Sequence, residues 1–354
     1  MNGIKKSYAE WVAVDWGTSN FRYWVLESDK VLKHDILPLG MQKLNRDEYE
    51  EHLIKAIGNL LDPTKLTPIL ICGMAGSRQG WSEAPYLSTP SKPPDFRHAM
   101  PVNSNDRRIS VRILPGLEQS DPADIMRGEE TQIRGVLTKN ENFDGVICLP
   151  GTHTKWVRIS AGEVVNFQTF MTGEMFFLLS EKSVLKHSVS KNGWVEKIFR
   201  ESVNEIITDN KLLGAKLFNL RAEFIMENLS KTESRARLSG YLIGLELAGS
   251  RPYWLGQKVL ILGEDDISLA YEQALEVYGQ YSLVPDYSSL FTDTNENSVE
   301  SIWELQISQQ AANSQMGRNF TPWKYKLGQH FGWLRVHADV YEHHLYNYPA
   351  DPRL

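Results

Sequence analysis

One pattern occurs twice in this chain: a short apolar strand, a tight polar turn, a second strand, another turn and a third strand. Its first copy predicts strands over 11–15, 21–26 and 31–37, with Gly17-Thr18-Ser19-Asn20 and Ser28-Asp29-Lys30 as the turns. The second predicts strands over 146–149, 155–159 and 164–170, with Gly151-Thr152-His153-Thr154 and Ser160-Ala161-Gly162 between them. Gly, Ser, Asn and Asp mark turns because they tolerate or stabilise backbone that strands cannot use. Placing Gly17-Thr18 on Gly151-Thr152 aligns the strands and turns without a gap. A repeat on this scale implies two similar lobes, each opening with a three-stranded meander.

The rest of the chain fits around that duplication. At 354 residues it is long enough for about two domains. A helix is expected from Asp47, which can act as its N-cap, with Leu53, Ile54, Ile57, Leu60 and Leu61 on its apolar face. A buried strand Ile69-Leu70-Ile71-Cys72 ends at Gly73. The Pro- and Ser-rich stretch 81–106 reads as a long loop, 109–114 as a strand, and 129–138 as a helix with Ile133, Val136 and Leu137 inward. Beyond the second meander the chain turns helical, over 174–186, 195–208, 215–229 and 235–248. A strand over 259–262 and a helix over 268–278 follow. The lobes are expected at 1–143 and 144–294, with a weakly periodic tail at 295–354.

A formal charge of −6 gives no reason to expect nucleic acid or an anionic membrane as partner. Cys72 and Cys148 each end an apolar run and read as buried free thiols, with no second ligand at metal spacing. No transmembrane run or signal peptide is seen, so the cytoplasm is the expected compartment.

Chemistry concentrates in the turns. In Gly17-Thr18-Ser19, glycine lets backbone N–H groups approach an anion and the hydroxyls add donors. Asp15, at the end of the preceding strand, is a candidate Mg²⁺ ligand. Gly151-Thr152-His153-Thr154-Lys155 repeats that chemistry with a cation, and two such turns across a cleft would grip a polyphosphate from both sides. Phosphoryl transfer also needs a proton acceptor. Arg127-Gly128-Glu129-Glu130 offers two carboxylates at a helix start, with Glu130 preferred as base and Glu129 and Asp15 as alternatives. The loop Gly73 to Trp81 follows a buried strand, where ligands commonly bind, and its Arg78 could clamp a carboxylate. Phe176-Phe177 and the apolar run at 242–247 read as core.

Together these segments resemble the 2-dehydro-3-deoxygalactonokinase family of the sugar kinase, heat-shock ATPase and actin superfamily. The resemblance rests on Val14 to Arg22, Cys72 to Ser77, Leu114-Pro115-Gly116, Met126 to Gln132, Leu149 to Trp156, Thr172 to Phe176 and Ser239 to Glu246. It implies a two-lobed, actin-like α/β ATPase fold, each lobe with a ribonuclease-H-like mixed sheet and the active site in the cleft between them. It implies ATP- and Mg²⁺-dependent phosphorylation of 2-dehydro-3-deoxy-D-galactonate at its 6-hydroxyl. Gly17, Thr18, Ser19, Gly151, Thr152, His153, Lys155 and Gly263 would then bind nucleotide, while Arg78, Gly76, Ser77 and Glu174 would orient the sugar acid. The chain departs from relatives at Gly263-Glu264-Asp265-Asp266, where small residues are usual, and its tail from Asn295 has no counterpart. Open alternatives are a kinase for another sugar or sugar acid, and an ATP or sugar-acid sensor on the same fold. An ATPase activator of a redox enzyme would need cluster-binding cysteines, which two isolated thiols do not supply. The oligomeric state is open, a homodimer included.

Overall fold

Alternating side chains drive the first sheet. Val12, Val14 and Trp16 of strand β1 (Trp11–Trp16) and Phe21, Tyr23 and Val25 of β2 (Phe21–Glu27) are buried, one residue in two, as a half-covered sheet requires. β3 (Lys30–Leu37) completes the meander. Helix α1 (Tyr49–Ile57) lays Tyr49, Leu53 and Ile57 into the same apolar cluster. Trp16 stacks on Phe21 with ring centroids 4.2 Å apart. The computed structural model describes residues 7–263 and 265–278.

The chain continues through β4 (Thr67–Gly73), β5 (Tyr86–Ser88), β6 (Met100–Val102), β7 (Ile109–Ile113), β8 (Gly116–Ser120) and β9 (Ala123–Met126) into helix α2 (Glu129–Lys139). The second meander is β10 (Gly145–Leu149), β11 (Thr154–Ser160) and β12 (Glu163–Phe170). Helices α3 (Thr172–Phe177), α4 (Glu196–Thr208), α5 (Leu213–Ile225), α6 (Lys231–Gly249) and α7 (Arg251–Trp254) follow, then β13 (Val259–Ile261) and α8 (Asp265–Tyr278).

The duplication holds in three dimensions. The first sheet runs β3-β2-β1-β4-β7-β6 and the second β12-β11-β10-β13. In each, the meander is antiparallel and its first strand pairs in parallel with a later one, β1 with β4 and β10 with β13. The likeness extends to defects. The register shifts between Val25 and Leu26 in one meander and between Arg158 and Ile159 in the other. Ser28 and Ala161, in the turns that follow, have φ of 50° and 51°. The gapless alignment is corrected by one residue. Asp15 faces Arg22 across the first turn, whereas Leu149 faces Lys155 across the second, so the second turn is the shorter. This is the two-lobed, actin-like α/β fold.

Four local expectations are revised. Helix α1 has Glu48, not Asp47, at its cap position and no side-chain cap bond, because the Glu48 carboxylate accepts the Asn45 N–H instead. The stretch 81–106 carries β5 and β6, and with β8 and β9 the former forms a third sheet, β5-β8-β9. The helix expected over 174–186 breaks into α3, a π turn at Leu178–Lys182 and a 3-10 turn at Val184–His187. The break falls at Ser183, whose hydroxyl accepts the Leu185 N–H at 3.0 Å and starts the last of these turns. Helix α6 begins before the expected 235, at a capping box between Ser230 and Glu233.

The third sheet fastens one lobe to the other. Gln119 of β8 pairs twice with the Phe167 backbone, and Asp124 of β9 accepts the Thr169 N–H and hydroxyl, both at 2.7 Å. Leu117, Met126, Ile133, Leu149 and Val157 form one apolar cluster across β8–β9, α2 and the second sheet. Both sheets belong to a unit closing at Leu275, and the expected boundary at 143–144 lies within it, between α2 and β10. The expected tail at 295–354 and Glu264 lie outside the described residues. Among the described residues no helix is long and apolar enough to cross a membrane, and both cysteines are buried free thiols.

Candidate functional site

The first turn stands at the end of β1, above Trp16. Its carbonyls are occupied: Gly17, Thr18 and Ser19 accept the N–H groups of Met41, Gln42 and Gly40 at 3.0, 3.2 and 3.0 Å. That fixes the loop while the Thr18 and Ser19 side chains stay exposed. Asp15 is held beside it. Its carboxylate accepts from Arg22 at 3.2 Å. Burial raises its pKa, against the opposing charge and hydrogen bond of Arg22. Gly73, at φ +86°, closes over this point. A Cβ there would stand 2.7 Å from the Trp16 carbonyl oxygen and 3.2 Å from Asp15 Oδ1.

β9 delivers the start of α2 to the same place. The Glu129 carboxylate accepts the Arg127 N–H at 3.0 Å, and the Glu130 carboxylate accepts the Gly128 N–H at 2.7 Å. The two acids differ in access. Glu130 is 0% exposed, whereas Glu129 keeps part of its surface. Burial, then the neighbouring Glu129 charge, pushes Glu130 up to about 8. Glu129 is raised by burial first; Lys155 pulls it down and Asp15 pushes it further up. One half-buried carboxylate therefore feels a group from each lobe. The buried Cys72 thiol, pushed up by burial, also feels Asp15 and Glu130.

Lys155 is not aimed out of the second turn. It is 5% exposed on β11, and its ammonium donates to the Ile125 carbonyl at 3.0 Å and to Thr169 Oγ1 at 2.7 Å. His153 and Glu174, assigned separately from sequence to phosphate and sugar acid, form a pair at 2.6 Å. The start of α3 backs the turn directly. Glu174 N–H donates to the Thr152 carbonyl at 3.0 Å, and a Cβ on Gly173 would stand 2.3 Å from the Gly151 carbonyl oxygen. Gly263 lies nearby, where an added Cβ would be 3.5 Å from Pro150 Cδ.

The Gly73–Trp81 loop brings its three candidates to different environments. Gly76 is packed under the Arg127 guanidinium, 2.8 Å from where its Cβ would be. Ser77 is buried with its hydroxyl on Met41 Sδ at 3.1 Å, and Arg78 is exposed. Arg46, not singled out from sequence, latches the loop through the Arg78 and Gly80 carbonyls at 2.7 and 3.1 Å. Arg127 was missed as well. It is 9% exposed, stacks 4.1 Å from the Tyr86 ring, donates to the Ala84 carbonyl at 2.8 Å and leaves Nη1 without a partner.

A cavity of about 580 Å³ adjoins the second turn, lined by Gly151, Gly173, Phe176, Trp194, Ile243 and Tyr271 among others. Phe176 and Ile243 read from sequence as core and here form walls. The Arg235 guanidinium lies 4.9 Å from the Phe176 ring, its pKa lowered by burial. Asp266 also lines the cavity and is exposed. A largely apolar cavity beside a turn rich in donors suits a ligand with a flat ring at one end and an anionic chain at the other. Among the described residues no group of three or more His, Cys, Asp or Glu is placed to hold a metal by itself. Mg²⁺ bound mainly by phosphate and water needs only one or two carboxylates, and Asp15 with Glu129 in reach fits that demand.

Comparison with known proteins agrees with this architecture. The probable 2-dehydro-3-deoxygalactonokinase of Rhizobium meliloti (strain 1021) is 35% identical over 303 residues, 83% of this chain and 98% of that protein. The 2-dehydro-3-deoxygalactonokinase of Escherichia coli (strain K12) is 29% identical over 274 residues, 77% of this chain and 91% of that protein. A crystal structure from Sinorhizobium meliloti, provisionally given the same enzyme name, superposes with a TM-score of 0.70 at 36% identity, covering 76% of this chain and 89% of that one. The family profile described as 2-keto-3-deoxy-galactonokinase matches residues 15–294. With both glycine turns, the second meander, the α2 carboxylates and the cavity inside that match, this chain belongs to the 2-keto-3-deoxy-galactonokinase family.

Proposed function

We propose that this protein transfers the γ-phosphate of ATP to the 6-hydroxyl of 2-dehydro-3-deoxy-D-galactonate, giving the 6-phosphate and ADP. The observation that carries the reading is Glu129, a half-buried carboxylate within electrostatic reach of Asp15 from the first meander and Lys155 from the second. Phosphoryl transfer depends on positioning and charge more than on covalent chemistry by the protein. The adenine occupies the 580 Å³ cavity, and the phosphates lie along Gly151-Thr152 and face Gly17-Thr18-Ser19. Arg78 meets the carboxylate of the acid. Glu129 takes the proton of the acceptor hydroxyl as its oxygen bonds the γ-phosphorus and the bond to the β,γ-bridging oxygen breaks. Buried Lys155 acts as a fixed positive charge that opposes the rise burial imposes on Glu129. Mg²⁺, held by Asp15, would offset phosphate charge. Lobe closure would exclude water, which competes with the sugar hydroxyl. The cytoplasm, where ATP is abundant, is the compartment this reading assigns.

ADP release measured over a panel of 2-keto-3-deoxy sugar acids tests it. Stimulation is expected to be greatest with the galactonate-derived acid. A larger kcat/KM with another member would move the substrate, and no stimulation by any acid would end the kinase reading. Gly173→Ala tests the turn. Its methyl would collide with the Gly151 carbonyl, so KM for ATP should rise about tenfold, the scale of an overpacking cost of roughly 1–3 kcal/mol. An unchanged KM would remove this turn from phosphate binding.

A further inference from the structure

Glu246 of α6 is 2% exposed, and its side-chain partners among the described residues are all neutral donors. Trp156 Nε1 donates to Oε1 at 2.7 Å, while the Tyr271 hydroxyl at 2.7 Å and the Thr172 hydroxyl donate to Oε2. The Tyr271 hydroxyl is also 2.9 Å from Thr154 Oγ1. Since Tyr271 spends its proton on the carboxylate, Thr154 donates to Tyr271 and the chain of bonds ends on Glu246. Burial raises the Glu246 pKa, and the Thr172, Tyr271 and Trp156 hydrogen bonds act against that rise.

These donors come from different elements that meet at the nucleotide half of the site. Thr154 is the residue after His153, where the second turn enters β11. Thr172 opens α3, whose next residues, Gly173 and Glu174, press on Gly151 and bond to Thr152. Tyr271, on α8, and Thr172 line the cavity. A shift of Thr154, Thr172 or Tyr271 moves either the turn or the cavity wall. A buried charge is tolerated only when its hydrogen bonds are met, which makes its donors hard to displace singly.

We propose that Glu246 is a positioning residue for nucleotide, holding the second phosphate turn, the start of α3 and the α8 wall of the cavity in one register. The inference rests on the nucleotide reading above. It concerns ATP and ADP and leaves the acceptor acid untouched.

The test uses the full chain, ADP binding by calorimetry, and KM for each substrate. Glu246→Gln keeps the shape but removes the charge, and its N–H group at the Oε2 position makes the Thr172 and Tyr271 hydroxyls turn from donors to acceptors, which reverses the bond to Thr154. Its Kd for ADP and KM for ATP should rise about tenfold or more, the scale of a hydrogen bond to a charged group. KM for the sugar acid at saturating ATP should stay within about twofold, a change too small to signal a lost contact. Tyr271→Phe removes one of the three donors to Glu246 together with the link to Thr154, leaves the Trp156 and Thr172 bonds in place, should shift nucleotide binding in the same direction by less, and carries the test if Glu246→Gln does not fold. Folded variants that bind ADP like wild type overturn the inference alone. So does a common rise in both KM values with a lowered Tm, the mark of general damage. Wild type that binds no ADP overturns the nucleotide reading beneath it.

Discussion

Glu129→Gln is expected to lower kcat by about 10³, in the range lost with a general base, while KM for ATP and for the sugar acid changes little. The amide keeps the volume and can still accept the Arg127 N–H, so the loss falls on proton transfer. Glu130→Gln should keep kcat within about tenfold, well short of what loss of a general base costs, because Glu130 is 0% exposed and its carboxylate is turned to the Gly128 N–H. Steady-state kinetics of the two variants side by side decide the matter. An active Glu129→Gln beside a dead Glu130→Gln would return the base to Glu130, the residue preferred on sequence alone.

The second large effect is on stability. Glu130 stands at about 8 in the folded protein against an ordinary 4.5. Between those values the unfolded chain has released the proton and the folded chain still holds it. Stability therefore falls as pH rises from 4.5 to 8, and the loss is complete above 8. The gap is worth up to about 5 kcal/mol. Gln cannot ionise and offers the same acceptor to Gly128. Glu130→Gln should match wild type near pH 5 and exceed it by several kcal/mol near pH 9, at up to about 1.4 kcal/mol per pH unit. Urea unfolding at both pH values measures this, and parallel pH profiles for the two proteins would refute the raised pKa. The same variant thus separates the roles of adjacent acids, one expected to act on the substrate and the other on the fold.

The structure also explains why some site residues could be read early and others could not. Phe176 and Ile243 have the apolar spacing of core residues, and spacing is the same whether a side chain packs on a neighbour or borders a cavity. Trp194 and Arg235 sit in stretches with no motif of their own. The capping box at Ser230 and Glu233 was legible and would have placed the start of α6. Strands β5, β8 and β9 are short and lie among Gly and Pro, so their pairing has no strong local signature.

The sequence by itself determined the duplicated meander, the two glycine turns at the ends of β1 and β10, and the acidic start of α2. Each is written in neighbouring residues, through alternation of apolar side chains, turn chemistry and helix-end preference. Only the tertiary structure decided the one-residue difference between the turns, the pairing of His153 with Glu174, the burial of Lys155 against Ile125 and Thr169, and which of Glu129 and Glu130 keeps exposed surface. Those outcomes depend on strand register and on groups far apart in the chain, whose distances and shared burial come into being only when the lobes are assembled.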